Sequence, residues 1–433
     1  MKKKIRKIGM LSSIALMVCL GVTGCYPDGK VSLEEKKETD SNQINIDENA
    51  SHIEGKLDEG LFVNAQTDIQ SDADWHDNNV ILKSWDVDKV SNVFGNGRNI
   101  SENKTMPNMH NDNLNDNYIY WDDGSSIVIQ NGNLQYNTKT ELEYSYLGYL
   151  YGTMPYLTDE TTEKFPETEI SGIDKEAAIE QVKSILDEIG VEVSKPRVYS
   201  LTYEKLEENT DYSQTDPNGN APHQWTKEDA AYAIVFKGTI DTLPITEVGY
   251  RSGPAAGERI VGIVGKQGLI AFHALNIYEL ETENELSDEI LTTQTVLENI
   301  QQKFRNIMIT DKVEIEKINL EYVPVLKNVE KGEYELKPMF VCMARQNIEH
   351  STDKEDNGLI GDSSIFPIIF DAQTGMEIQI GGTYCCAFVL YKYRKIYTWQ
   401  CRYILHIGYF NWVERFQKID NYFFGAALCD RFL

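Results

Sequence analysis

The clearest periodicity in the chain runs over residues 174–189, where Ala178, Val182, Ile185, Leu186 and Ile189 recur at helical spacing and mark one apolar face. Asp174 stands where an N-cap belongs and Gly190 where a helix stops, so the spacing predicts a helix between them. Strand-like runs follow at 197–204, 231–240 and 258–280, the last folded back on itself around Lys266-Gln267-Gly268. The same order begins again near Leu291. Val296, Leu297, Ile300 and Phe304 form a second helix face, and 313–326, 334–345 and 365–380 read as strands. Helix followed by antiparallel strands thus occurs twice, as a repeat of structure rather than of sequence.

Upstream, residues 61–169 carry mainly strand and loop signals. Residues 62–69 and 79–85 look extended, and 88–94 suits a short helix. Ser125 to Gln130 leads through Asn131-Gly132 into Asn133 to Tyr136, a hairpin pattern. Nine asparagines between Asn92 and Asn117 predict a long exposed loop that tolerates deletion. The expected fold class is therefore α+β, with a β-rich N-terminal region (61–170) followed by two helix-plus-antiparallel-sheet units (171–282 and 283–383).

The two ends of the chain depart from this pattern. Five positive charges within residues 1–7 precede an apolar stretch over 8–22, the layout of a secretory signal and too short to span a bilayer comfortably. Val22-Thr23-Gly24-Cys25 closes it and resembles the bacterial lipobox. The resemblance implies cleavage after Gly24, diacylglycerol on the Cys25 sulfur, and anchoring on the outer face of the cytoplasmic membrane. Two acyl chains suffice for that, at about 0.8 kcal/mol per buried methylene. The competing reading leaves Cys25 a free thiol. Residues 25–60 are polar and acidic, with too few apolar positions to pack, and read as a disordered tether.

Residues 370–378, Phe-Asp-Ala-Gln-Thr-Gly-Met-Glu-Ile, resemble the terminal hairpin of PepSY-type domains, small exported modules of a helix and an antiparallel sheet. A purely structural reading stands beside it, since Asp371 and Gly375 bracket a tight turn. The order of lipobox, acidic tether and two helix-then-sheet units also looks like the uncharacterised lipoproteins of Gram-positive bacteria. More distantly, it looks like extracytoplasmic regulators of sensor kinases. Neither resemblance brings catalytic residues with it.

Residues 384–433 hold four of the seven cysteines and fifteen of the 45 aromatic residues. They suit an interfacial or partner-binding segment. They also suit translation beyond a shifted reading frame, which the abrupt change in composition after the hairpin favours. On that second reading their removal leaves the fold intact. Between Cys25 and Gly382 the only cysteine is Cys342, so the body holds itself together without disulfides, and Cys342 among apolar neighbours reads as an inert buried thiol.

Charge narrows the possible partners. The net −27 conceals +5 on residues 1–24 and +4 on residues 384–433, leaving −36 on residues 25–383. A body so acidic repels phosphate backbones, which argues against nucleic-acid binding. Seven scattered histidines form no metal spacing, and His273 reads as a packed residue. The phosphate-loop pattern fails around Gly265-Lys266, with Ile260 and Gln267 at required places, and no Gly-x-Ser-x-Gly elbow is present. Asn111, Asn113, Asn115 and Asn117 with Asp112 and Asp116 offer oxygens for casual calcium binding but lack the EF-hand glycine and glutamate. Tyr144, Tyr146, Tyr149, Tyr151 and Tyr156 form a possible ligand surface for sugar rings or a partner, against the plainer reading of strand propensity.

The sequence assigns no catalytic residue, cofactor or metal. It leads to the expectation of a membrane-anchored extracytoplasmic protein that binds or regulates another envelope or membrane protein. Capture of a glycan, small ligand or calcium is the alternative, and an unrecognised hydrolase a more distant one.

Overall fold

The computed structural model describes residues 51–378 except 109–113, 153–155, 214–220, 249–256, 287–288, 306, 308, 310, 329–332 and 348–362. The signal segment with Gly24 and Cys25, most of the tether and the 384–433 tail lie outside the described residues.

The chain opens with β1 (His52–Asp58), β2 (Leu61–Asp68), β3 (His76–Leu82) and a short helix, α1 (Val87–Gly95). Then come β4 (Ile100–Pro107), β5 (Asn115–Trp121), β6 (Ser126–Gln130) and β7 (Asn133–Asn137). Three short helices follow, α2 (Lys139–Tyr144), α3 (Tyr146–Tyr151) and α4 (Asp159–Lys164), and after them the long α5 (Lys175–Ile189). The next stretch holds β8 (Arg197–Leu201), α6 (Tyr203–Glu208), β9 (Ala231–Phe236), β10 (Thr239–Ile240) and β11 (Leu243–Pro244). It continues with β12 (Arg259–Gly265), β13 (Gly268–Leu275) and β14 (Tyr278–Glu285). Helix α7 (Thr293–Phe304) introduces β15 (Val313–Asn328), β16 (Glu333–Asn347) and β17 (Ser363–Asp371).

These elements build an α+β fold rich in strand, organised as two large sheets. The first runs β1-β2-β15-β16-β3-β14, with β17 also on β16; the second runs β4-β5-β6-β7-β13-β12-β9-β8. Every pairing within them is antiparallel except β2 with β15. The sheets do not follow the linear division at 170 and 282: the first takes β1 to β3, then β14, which runs across residue 282, and β15 to β17, while the second takes β4 to β7 with β8, β9, β12 and β13. The tether is corrected as well. Its last residues form β1, an edge strand held by Ile53, which is buried against the first sheet. The asparagine-rich stretch is not a loop through most of its length, since β4 and β5 pair from Ile100–Trp121 to Pro107–Asn115. Residues 202–204 leave the expected strand and enter α6.

The short predicted helix forms as α1, and the two long predicted helices form as α5 and α7, with caps that explain where they begin. The Asp174 carboxylate accepts from Ala177 N at 3.0 Å, and Gly190 closes α5 at φ +73°. Its buried face packs on β9 and β13 of the second sheet together with α1. The approach is close: a Cβ on Gly262 of β12 would lie 2.4 Å from Val182 Cγ2, so glycine is needed for the helix to sit there. On α7, Thr292 Oγ1 caps the Thr295 N–H, and Val296, Leu297, Ile300 and Phe304 are buried against the first sheet. The terminal hairpin turn is set by Asp371, whose Oδ1 accepts from Gln373 N, Thr374 N and Thr374 Oγ1 at 2.8–3.1 Å, with Gly375 at φ +68°.

Each sheet also has a second covered face. On the second sheet, α3 and the Phe165 ring join Leu206, Trp225 and the alanines of β9. On the first, Tyr156 and Val248 lie over Val323, Met339, Val341 and Ile369.

Candidate functional site

Four of the five tyrosines fall in helices rather than strands, and Tyr156 lies between α3 and α4. The Thr138 cap and the Glu141 carboxylate, which accepts from Tyr146 N and Leu147 N, start and turn the α2–α3 pair. Tertiary burial overrides the strand propensity of tyrosine here. Tyr146, Tyr151 and Tyr156 are buried; Tyr144 and Tyr149 are half-buried.

Four of these tyrosines spend their rings on contacts within the protein. Tyr144, Tyr146 and Tyr149 surround the buried Trp225 ring at centroid distances of 5.9, 5.2 and 5.3 Å, and His223 stacks on Tyr144 at 3.6 Å. The cage is filled by its own tryptophan. Its polar atoms are paired too: Trp225 Nε1 donates to Thr210 Oγ1, which Tyr149 Oη also meets, and Tyr146 Oη donates to Asp229 O. Tyr156 packs on the first sheet.

Tyr151 is different. It lies where the two sheets are joined, and its buried hydroxyl has no hydrogen-bond partner. The joint is made by the segment after β9. The β10–β11 hairpin turns through Asp241 and Thr242, and Ile245 then bridges Tyr322 of β15, with Thr246 N donating to Tyr322 O at 2.9 Å. Strand alternation places Arg197, Lys237 and Arg259 on the face of the second sheet that also carries Val235 and Val261, because Arg197 pairs with Val235 and Val235 with Val261. Glu321 of β15 meets Lys237 and Glu247 meets Arg197, so two ion pairs cross the joint.

The Lys237–Glu321 pair keeps its charge despite burial. Burial would raise the Glu321 carboxyl, but Lys237 and hydrogen bonds from Thr246 and Asn319 bring it below its ordinary range. Burial would lower Lys237, yet Glu321 and Glu247 raise it. Arg259 has no such partner. Among the described residues no carboxylate pairs with it, its guanidinium carbon lies 4.7 Å from the Tyr151 ring centroid, and its Nε is buried without an acceptor. Glu247 Oε1 is likewise buried and unpartnered, while Oε2 holds Arg197.

Two neutral groups flank the joint. Glu258 is buried, and its Oε1 accepts from Tyr278 N at 3.2 Å while Oε2 has no partner. Burial pushes this carboxyl up to about 8. A Cβ on Gly238 would fall 1.6 Å from Glu258 Oε2, so a side chain at residue 238 would displace the Glu258 carboxylate. His273 meets Asn137 Oδ1 at 3.0 Å, and burial with the nearby Arg259 takes it down to about 3, so it is an uncharged packed residue.

Other candidates are self-satisfied. Asp116 accepts from Asn108 Nδ2 and Gln130 Nε2, so both of its oxygens are engaged by amides rather than held open for calcium. Asn111, Asp112 and Asn113 lie outside the described residues. A cleft of about 400 Å³ on the first sheet is lined by Asn79, Glu281, Thr282, Lys327, Glu333 and Tyr334, where Asn79 already bridges Thr282 and Lys327. Burial pushes the Cys342 thiol far above its ordinary range, as expected of an inert thiol. No group of three metal-binding side chains occurs among the described residues, and no helix among them is long and apolar enough to cross a membrane.

The fold defines a class, a two-sheet α+β body with a helix on one face of each sheet. It is similar to the crystal structure of an uncharacterized protein from Eubacterium rectale ATCC 33656, with a TM-score of 0.58 at 16% identity, covering 76% of this chain and 94% of that one. Likeness at that identity shows the fold alone. No family model matches the chain, and no curated protein matches it.

Proposed function

We propose that this is a membrane-anchored extracytoplasmic lipoprotein, held by lipid on Cys25, that works in the cell envelope by binding rather than by chemistry. The observation that carries the reading is the charged joint. Tyr151 Oη, Glu247 Oε1 and Arg259 Nε are buried polar atoms left open beside two completed ion pairs. Buried polar groups without partners are costly, about 1–3 kcal/mol each, so a site that keeps three of them is organised to receive something. The group offers donors and an acceptor suited to recognition of a polar ligand. Lipid on Cys25 rests on the lipobox resemblance.

The reading is tested on the detergent-solubilised full-length protein by thermal melting against a panel of envelope-derived small molecules. A ligand that prefers the folded state raises the melting temperature. A ligand whose effect disappears in Tyr151→Phe supports the reading. No shift across the panel overturns it. Labelling cells with a radioactive fatty acid tests the anchor, with label expected on the wild type and absent from Cys25→Ala.

A second reading, contact with an envelope or membrane protein, is favoured by β4. This edge strand is exposed along all eight residues and offers its backbone for strand addition. Cross-linking in the native membrane, followed by mass spectrometry, tests it; links through residues 100–107 are expected, and a partnerless result rejects it.

A further inference from the structure

Resting on the binding reading above, we infer that the joint takes a small zwitterion, a free α-amino acid, with its carboxylate on Arg259 and its ammonium on Glu247. The argument starts from charge. Three cations, Arg197, Lys237 and Arg259, face two carboxylates, Glu247 and Glu321, and the two ion pairs leave Arg259 without a counter-charge among the described residues. A guanidinium with an open Nε is a donor fork for a carboxylate.

An anion alone does not complete the group. Glu247 spends one oxygen on Arg197 and keeps the other buried and open, which calls for a donor rather than an acceptor. Tyr151 is only 8% exposed; its ring carries Arg259 on one face and its open hydroxyl can donate to a carboxylate or accept from an ammonium. The group thus wants one acceptor and one cationic donor on a single small molecule. The body as a whole supports this choice. Residues 25–383 carry −36, which repels a simple anion, whereas a zwitterion approaches with no net charge. The charged group reaches the surface at Arg197, whose side chain is 39% exposed while its partner Glu247 is 8% exposed.

The competing account is a hydrated ion cluster, with ordered water on the three open atoms. Isothermal titration of the detergent-solubilised full-length protein with the twenty amino acids separates the two. At least one amino acid is expected to bind, with affinity reduced tenfold or more in Arg259→Met and in Glu247→Gln. Tyr151→Phe keeps the ring and the packing and guards against variants that fail to fold; it is expected to weaken the same ligand several-fold. Binding of acetate or succinate but of no amino acid would reject the zwitterion while leaving the binding reading standing. Binding of an amino acid that is unchanged in Tyr151→Phe and in Arg259→Met would place it elsewhere and reject this site. Silence of amino acids, carboxylates and the wider panel together would reject both and leave the water cluster.

Discussion

Arg259 lies with its guanidinium carbon 4.7 Å from the centre of the Tyr151 ring, the one arginine at the joint between the sheets that no described carboxylate neutralises. That relationship sets the chemistry of the joint. The ion pairs on either side of it set its strength.

Lys237 and Glu321 are both largely buried and hold the end of β9 against β15. Removing one partner strands the other charge in the protein interior. Glu321→Leu or Lys237→Met should each cost about 3–5 kcal/mol, and the double variant Lys237→Met with Glu321→Leu should recover most of that loss. Urea unfolding of the three variants measures the coupling; additive losses would show that the pair does not act as a unit.

Glu141 and Glu258 are both pushed up to about 8 by burial, from an ordinary value of 4.5. The folded protein therefore keeps protons that the unfolded chain releases, and the stability due to these groups falls as pH rises from about 4.5 to about 8. Asp123 acts in the opposite sense. Burial opposes the shift, but Ser125 and Arg98 hold it at about 2, so its contribution is present above 3.8 and fades as pH falls toward 2. Melting temperature should decline between pH 5 and pH 8, and Glu258→Gln should flatten that decline and gain about 1–3 kcal/mol at pH 8. A Glu258→Gln profile parallel to the wild type would contradict the shift.

The contact of α5 with β12 leaves no room for a side chain at residue 262, where a Cβ would stand 2.4 Å from Val182 Cγ2. Gly262→Ala should destabilise by about 1–3 kcal/mol through overpacking, and adding Val182→Ala should restore part of it. Equal stability of wild type and Gly262→Ala would mean that the helix is not seated there.

The β10–β11 turn holds Thr242 at φ +72°, a conformation that a β-branched residue adopts only under strain. Thr242→Gly should stabilise the protein by about 1 kcal/mol, read as a rise in the chemical denaturation midpoint at unchanged slope. A lower midpoint would show that the threonine side chain contributes more than the strain costs.

Several elements were legible in the sequence because their causes are local. Asp174 and Gly190 cap α5 with atoms a few residues away, and the apolar spacing of α5 and α7 reports one buried face each. Gly132 takes the left-handed conformation that the Asn131-Gly132 hairpin needs. The asparagine-rich strand β4 escaped because all eight of its residues are exposed, so alternation has no buried face to reveal. Strand β1 escaped for a similar reason, with Ile53 its one buried residue. The tyrosines of α3 looked like strand because propensity is a weak local preference, and burial beside Trp225 and under β9 outweighs it.

The sequence by itself determined the two long helices and their faces, the Asn131-Gly132 turn and the acidic balance of the body, since periodicity, capping and charge are properties of neighbouring residues. Only the tertiary structure decided which strands share a sheet and which charges meet. Arg197 finds Glu247 across 50 residues and Lys237 finds Glu321 across 84, through a hairpin that carries the chain from one sheet to the other. Among so many acidic residues no local pattern marks those two carboxylates. Burial at the joint selects them, because there an unpaired charge is costly and the surrounding strands fix which side chains face one another.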